Sequence, residues 1–441
     1  MLRIESKVLL LICIHVVLSV AVLLADLSYL QGNLSYFFTL SFILFLFIGY
    51  SKRKPYNFLR PSVIVGLYSS GMFLIGSFFY EMGIVHPSHE RGNFYSLEHF
   101  ELITSFLFLS LAFTALPILF LRSSKRKQSY KPNKSFDKHI IYMLSIFALG
   151  IFLSIKKIYF SLGDNVFDIS GAIIILSALY LSILASLGQS KLRFLIYFLF
   201  SLFLIIFLFD DRRLFVMYLL FVLFLEARIL NSISISKIIF NSIGIIIILV
   251  SGILIATSYR SPIQTDFRDF ISEASTPQLA SYFEGASLIF HTYDAISTQI
   301  SQGEFTLGST YIKSLFIPIP RDFVQIKPRS FIDLYNSKNF PKYRDVGGSN
   351  ASHFYAEAFW NFSYLGIVPI FLLLFFFEKV YFKLLNLLYL KRVLPSLFLA
   401  LIYFRVLEFA RGTGIDGIMW PILIGFLFML PAYLLKFKKF I

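Results

Sequence analysis

The chain has 441 residues, 57% of them hydrophobic and only 15% charged. A soluble domain carries roughly 25% charged residues, so a water-soluble globular fold is excluded. The net charge of +15 does not point to nucleic acid, because the surplus sits in short loops between apolar runs, while acidic and basic residues nearly cancel from 259 to 362.

Apolar runs of about 17–23 residues recur along the chain, enough to cross roughly 30 Å of hydrocarbon as helix. They lack the apolar–polar alternation of membrane-barrel strands. The expected fold is an all-α polytopic membrane protein with about twelve transmembrane helices. The first run, 8–30, follows Met1 to Lys7 in the manner of a signal anchor and is too long for a cleaved leader. It holds the single cysteine, Cys13, so no intrachain disulfide and no cysteine-based metal site is expected. Further spans are read at 34–50, 61–80, a fourth ending by Leu121, then 139–160, 171–188, 194–209, 214–230, 238–258, 363–381, 394–410 and 418–436. The basic loops, among them Lys52 to Lys54, Arg122 to Lys138 and Lys391 with Arg392, then fall on one side, which the positive-inside rule makes cytoplasmic together with both termini. Three parts follow: nine spans in 1–258, a large outer loop in 259–362 and three spans in 363–441.

That loop is too rich in Tyr, Phe and Ile for a disordered linker. Thr276 and Pro277 form a helix start whose pattern runs to Ile300, with Gly303 closing it. A second short helix is expected to end before Pro318. A third begins near Asn350 and can run on into the span at 363. No internal repeat is visible, which disfavours the inverted-repeat plans of transporters.

Chemistry concentrates in this loop. His353 and Glu357 are four apart, on one face of the third loop helix, with Trp360 and Asn361 continuing it. Glu357 is expected about one turn above the membrane surface, where an apolar boundary can raise a carboxyl pKa and make a general base; a solvated carboxylate gives the same spacing. No third ligand lies nearby, so no metal is expected. Cations gather at the exits of the spans: Arg212 and Arg213, Arg260, Arg321 with Lys327 and Arg329 around Pro318, Pro320 and Pro328, and Arg411. Arginine suits bidentate phosphate contacts beside lipid, although single interfacial arginines also anchor helices to headgroups. Arg405 and Glu408 lie inside the eleventh span, where ionisable groups face the bundle interior, and are expected to pair and orient Arg411. Gly412 and Gly414 would allow close backbone approach. No Walker loop, dinucleotide fingerprint, hydrolase elbow or Asp-x-Asp pair occurs in the places such chemistry requires.

This architecture resembles the Wzy-type O-antigen polymerases: about twelve spans, one large late outer loop and a basic pair closing a middle span. The matching residues are the block from Phe316 to Arg321 with Lys327 and Pro328, Glu357 and Asn361 before the tenth span, and Arg411 with Gly412. Asp210 and Asp211 stand before Arg212 where that family often has Gly or Ser, so either Arg212 or Arg213 is the counterpart. The resemblance implies a GT-C-like fold in the bacterial inner membrane with the large loop periplasmic. It implies transfer of a growing glycan from undecaprenyl diphosphate to a new lipid-linked repeat unit, with no cofactor. Glu357 would be the base, His353 its reserve, and Arg321 a catalytic cation. Arg212 or Arg213, Arg260, Lys327, Arg329, Arg411, Asn361 and Tyr355 would hold diphosphate and glycan. Partners implied are membrane lipids, a chain-length regulator and a flippase of the same pathway. An O-antigen ligase, which would use a loop histidine such as His353 or His291, and a lipid-linked oligosaccharide flippase are the alternatives.

Overall fold

The computed structural model describes residues 4–25, 30, 32–50, 55–82, 98–121, 139–160, 164–188, 195–201, 212–229, 284–316, 319, 327–341, 350–412 and 414–437. Among these there is no strand. The helices are α1 (Ile4–Leu24), α2 (Leu34–Gly49), α3 (Pro61–Glu81), α4 (Phe100–Ala115), α5 (Pro117–Phe120), α6 (His139–Phe160), α7 (Asp164–Gly188) and α8 (Arg212–Ile229). After the gap come α9 (Glu284–Gln302), α10 (Ser309–Ile312), α11 (Phe331–Asn339), α12 (Phe354–Phe362), α13 (Ile367–Tyr389), α14 (Val393–Phe404), α15 (Val406–Arg411) and α16 (Gly414–Phe437). Six helical stretches among the described residues are long and apolar enough to cross a membrane, and four shorter apolar helices accompany them. The chain is thus an all-α protein of multi-pass membrane character. The span expected at 238–258 and the helix start at Thr276 and Pro277 lie outside the described residues.

The two ends of the bundle are marked by polar contacts. At one, the Lys7 ammonium donates to the carbonyls of Phe47 (2.7 Å) and Tyr50 (3.0 Å). There the Arg60 guanidinium also pairs with the Glu378 carboxylate at 2.9 Å, 5% and 0% exposed. Glu378 accepts the Ser62 backbone N–H as well (3.1 Å), so one carboxylate joins α13 to the start of α3. At the opposite end the Glu81 carboxylate accepts from the backbone N–H and the hydroxyl of Ser35. Between the ends the helices approach closely where glycine permits it: a Cβ on Gly66 would lie 2.1 Å from the Phe45 ring. Buried hydroxyls such as Ser70, Thr104 and Ser110 return their hydrogens to the carbonyl four residues earlier, which satisfies them without water.

Three elements depart from the sequence expectation. The eleventh span is broken at Arg405 into α14 and α15. The tenth starts at Ile367 and continues to Tyr389, because Val380, Tyr381, Leu384, Leu385 and Leu388 form a buried helical stripe through the charged stretch that reads as a loop. The third loop helix does not run on into it. Ser363 (φ 54°, ψ −140°) ends α12, and a 3-10 turn, Ser363–Gly366, intervenes. A Cβ on Gly366 would sit 2.5 Å from the Ala358 carbonyl oxygen, so the turn folds back on α12.

The polar interval does not stand above the bundle. α9 packs along α3, and α12 packs against α9 and α13. His353 bonds to Ser69, nine residues along α3 from Arg60, or about 13 Å of helix rise. That is near the midpoint of α3. The chain from 350 to 362 therefore re-enters the helix bundle, drawn in by Phe354, Tyr355, Phe359 and Trp360, all buried.

Candidate functional site

The start of α12 is held by His353, which precedes the helix as its N-cap rather than lying on its face. Its Nδ1 accepts the Tyr355 backbone N–H (3.3 Å), so the ring hydrogen sits on Nε2 and is donated to Ser69 Oγ (2.8 Å). Ser69 in turn donates to the Val65 carbonyl. The His353 backbone N–H donates to Thr292 Oγ1 (3.1 Å). Both ring nitrogens are spent on holding the segment to α3, which leaves His353 no lone pair for a base. It positions α12 instead.

One turn on, Glu357 is 2% exposed. The hydrogens around it can be assigned from one backbone group. The Gly308 N–H can only donate, and it does so to Asn361 Oδ1 (2.9 Å), which also accepts from Thr306 Oγ1 (2.8 Å). Asn361 Nδ2 is then the donor, to Thr310 Oγ1 (2.7 Å) and to the Glu357 carbonyl (2.8 Å). Thr310 is left with its hydrogen for Glu357 Oε1 at 2.9 Å. The chain Asn361–Thr310–Glu357 thus presents a donor to one carboxylate oxygen and fixes the orientation of the group in the first turn of α12.

The loop that supplies Thr310 is tied to α12 by backbone bonds: Thr306 N–H to the Trp360 carbonyl (3.2 Å) and Leu307 N–H to that of Asn361 (3.1 Å). Leu307 and Gly308 both take positive φ to make this turn. From the other side, α15 ends against the start of α12. Gly412 (φ 77°) lies so close that a Cβ would fall 1.7 Å from the Ser352 carbonyl oxygen. Arg411 therefore lies within the height of the bundle, not at its surface, and its half-buried side chain is engaged.

The remaining expected residues divide clearly. Arg405 and Glu408 pair as expected, one guanidinium nitrogen reaching both carboxylate oxygens at 2.7 and 2.6 Å, both residues buried. Tyr355 is fully buried, its hydroxyl 2.6 Å from Thr114 and its ring beside His353 and Phe354, so it belongs to the bundle core rather than to a glycan surface. The Lys327 ammonium is turned to the carbonyls of Phe316 and Ile319, so its charge is engaged within the chain. Arg329 is exposed. Arg260 and Arg321 lie outside the described residues; Arg212 and Arg213 open α8, their side chains not among those described. No cluster of metal-ligating side chains occurs among the described residues.

Thr310 was not singled out in the sequence, and nothing in its local pattern marks it. Nor was a second buried network, which clamps α11 to α9. The Tyr335 hydroxyl donates to Asp294 (2.8 Å), Asn339 Nδ2 donates to the same oxygen (2.9 Å), and His291 Nδ1 meets the Tyr335 oxygen at 2.9 Å. With the tyrosine hydrogen committed to Asp294, His291 is the donor in that last bond. An acidic residue in the midst of an apolar helical pattern was the available signal for Asp294.

No family model, curated protein or solved structure matches the chain.

Proposed function

We propose that the chain is a membrane glycosyltransferase that polymerises oligosaccharide repeat units carried on undecaprenyl diphosphate, as the resemblance to Wzy-type polymerases implies. The observation that carries this reading is the buried Glu357 carboxylate, oriented by Thr310 and Asn361 on a segment that re-enters the bundle beside the Arg411–Gly412 turn. Such a carboxylate suits a general base acting on a hydroxyl at membrane depth.

The reaction then runs as follows. A sugar hydroxyl of the incoming repeat gives its proton to Glu357, and its oxygen bonds to the anomeric carbon of the growing glycan. The bond from that carbon to the diphosphate oxygen breaks, and the electron pair leaves with the diphosphate. Cations are needed where that charge develops; Arg411 supplies one, with Arg321, Arg260 and Arg212 or Arg213 as the further candidates. In this reading the protein has about twelve spans in the inner membrane, the Lys7 end and both termini are cytoplasmic, and the Glu81 end is periplasmic. The ligase alternative needs a loop histidine as base, and the bonding of His353 speaks against that residue in the role.

A gel of surface polysaccharide from a strain lacking this gene tests the reading. The polymer ladder is expected to collapse to core plus one repeat and to return on complementation. Loss of all polymer from the core, with lipid-linked polymer accumulating, would instead mean a ligase. An unchanged ladder would contradict both.

A further inference from the structure

The turn that supplies Thr310 has two unlike faces. Inward, Thr310 is fully buried against Glu357. Outward, Leu307 (77% exposed), Ile312 and Leu315 (68%) project from the same short stretch, and Leu365 (72%) projects beside them. Four large apolar side chains at such exposure are unusual for a polar loop in water.

Their height in the bundle identifies what covers them. The Tyr364 hydroxyl donates to the Leu102 carbonyl (3.0 Å), and its ring lies 5.8 Å from that of Phe106. Leu102 and Phe106 belong to the first two turns of α4. The far end of that stretch, Leu121, lies at the Arg60 end, so these two turns lie at the Glu81 end. Residues 305–308 are tied to 360–361, and Phe359 packs on Phe106 at 4.9 Å. Tyr364 and Phe359 thus sit about 3–9 Å down a membrane-length helix; residues 306–308, bonded to 360–361, are held beside that level, and 309–316 continues from them against α16, inside the bundle's height. Below Leu365 the exposed apolar row continues along α13 through Val368, Leu372 and Phe376. That row has the spacing of a single helix face and belongs to lipid if α13 crosses the membrane.

We propose that the stretch from Leu307 to Leu315 is immersed in the bilayer leaflet at the Glu81 end, so that one short helical turn separates lipid hydrocarbon from Glu357. The contact does not depend on the polymerase reading. Under that reading, which this consequence does rest on, it is the side from which a lipid-linked donor reaches the carboxylate.

The test uses the full chain in a Cys13→Ser background, since Cys13 is the one cysteine. Leu307→Cys, Ile312→Cys and Leu315→Cys are labelled singly with an environment-sensitive fluorophore and reconstituted into phosphatidylcholine vesicles with or without bromine on the acyl chains. Leu372→Cys serves as the lipid reference, and exposed Glu304→Cys as the aqueous one. The labels at 307, 312 and 315 are expected to lose most of their fluorescence to brominated lipid, as at 372, and to resist iodide. Quenching by iodide and indifference to brominated lipid, as at 304, would overturn the proposal. The unsubstituted protein gives a second measurement: a photoactivatable lipid should modify the 305–316 peptide, and an unmodified peptide beside a modified α13 would overturn the proposal too.

Discussion

Glu378→Gln is expected to lower the unfolding free energy by about 3–5 kcal/mol, the usual cost of leaving one member of a buried ion pair uncompensated. Arg60 is shielded from solvent. It is 4% exposed, its guanidinium lies over the Phe382 ring at 5.0 Å, and it makes a further long bond (3.5 Å) to the Leu121 carbonyl. The substitution also weakens the bond that Glu378 accepts from Ser62 N–H, at the start of α3. Removing both charges, as Arg60→Met with Glu378→Met, should cost much less than either single change, because desolvation of the pair offsets much of its attraction. Denaturant unfolding in detergent micelles measures both. A single variant within about 1 kcal/mol of the parent, the scale of an exposed pair, would show that the pair does not hold α3 to α13.

Gly412→Ala is expected to be comparably severe for a different reason. The left-handed backbone alone costs a residue with a Cβ about 1–2 kcal/mol. Here the Cβ would also fall 1.7 Å from the Ser352 carbonyl oxygen and 2.9 Å from the His353 carbonyl carbon, which are backbone atoms and cannot rotate away. Either α15 or the 352–353 segment must shift. Since His353 fixes the start of α12 on Ser69 and Thr292, the register of Glu357 moves with it. Gly303→Ala is the matched control: its φ is 70°, but nothing lies within 4 Å of its Cβ position. The control should lose only the conformational cost, and the excess loss in Gly412→Ala measures the close approach. Equal losses would mean that the two segments are not in contact.

Much of the helix layout was legible in the sequence because it follows from local apolar length and from breakers. The span at 61–80 appears as Pro61–Glu81, the run at 139–160 as the helix His139–Phe160, and Gly303 closes α9 in the left-handed conformation. The short helix before Pro318 is also present, as α10 and the 3-10 turn Lys313–Phe316. What the sequence concealed depends on contacts between distant residues. Arg60 and Glu378 are 318 positions apart, and nothing local announces that they meet. Thr310 gains its role only because Asn361 and Glu357 are brought to it. The helix α11 has a weak apolar pattern and is set by its Ser330 cap and its clamp to α9. Glu357 and Asn361 were visible as a pair four apart on one helix. Their depth in the bundle was not, since hydropathy assigns a mixed segment to the loop whether or not it folds back inside.

The most direct measurement is polymer formation by the purified protein in vesicles supplied with undecaprenyl-diphosphate-linked repeat units. The unsubstituted chain is expected to build a ladder of products. Glu357→Gln should abolish it while keeping the fold, as judged by unfolding in detergent. Thr310→Val should slow it, since the carboxylate loses the hydrogen bond that orients it, with Thr310→Ser restoring the rate. A full ladder from Glu357→Gln would contradict the assignment of Glu357 as the base. No ladder from the unsubstituted, folded chain would contradict the polymerase itself.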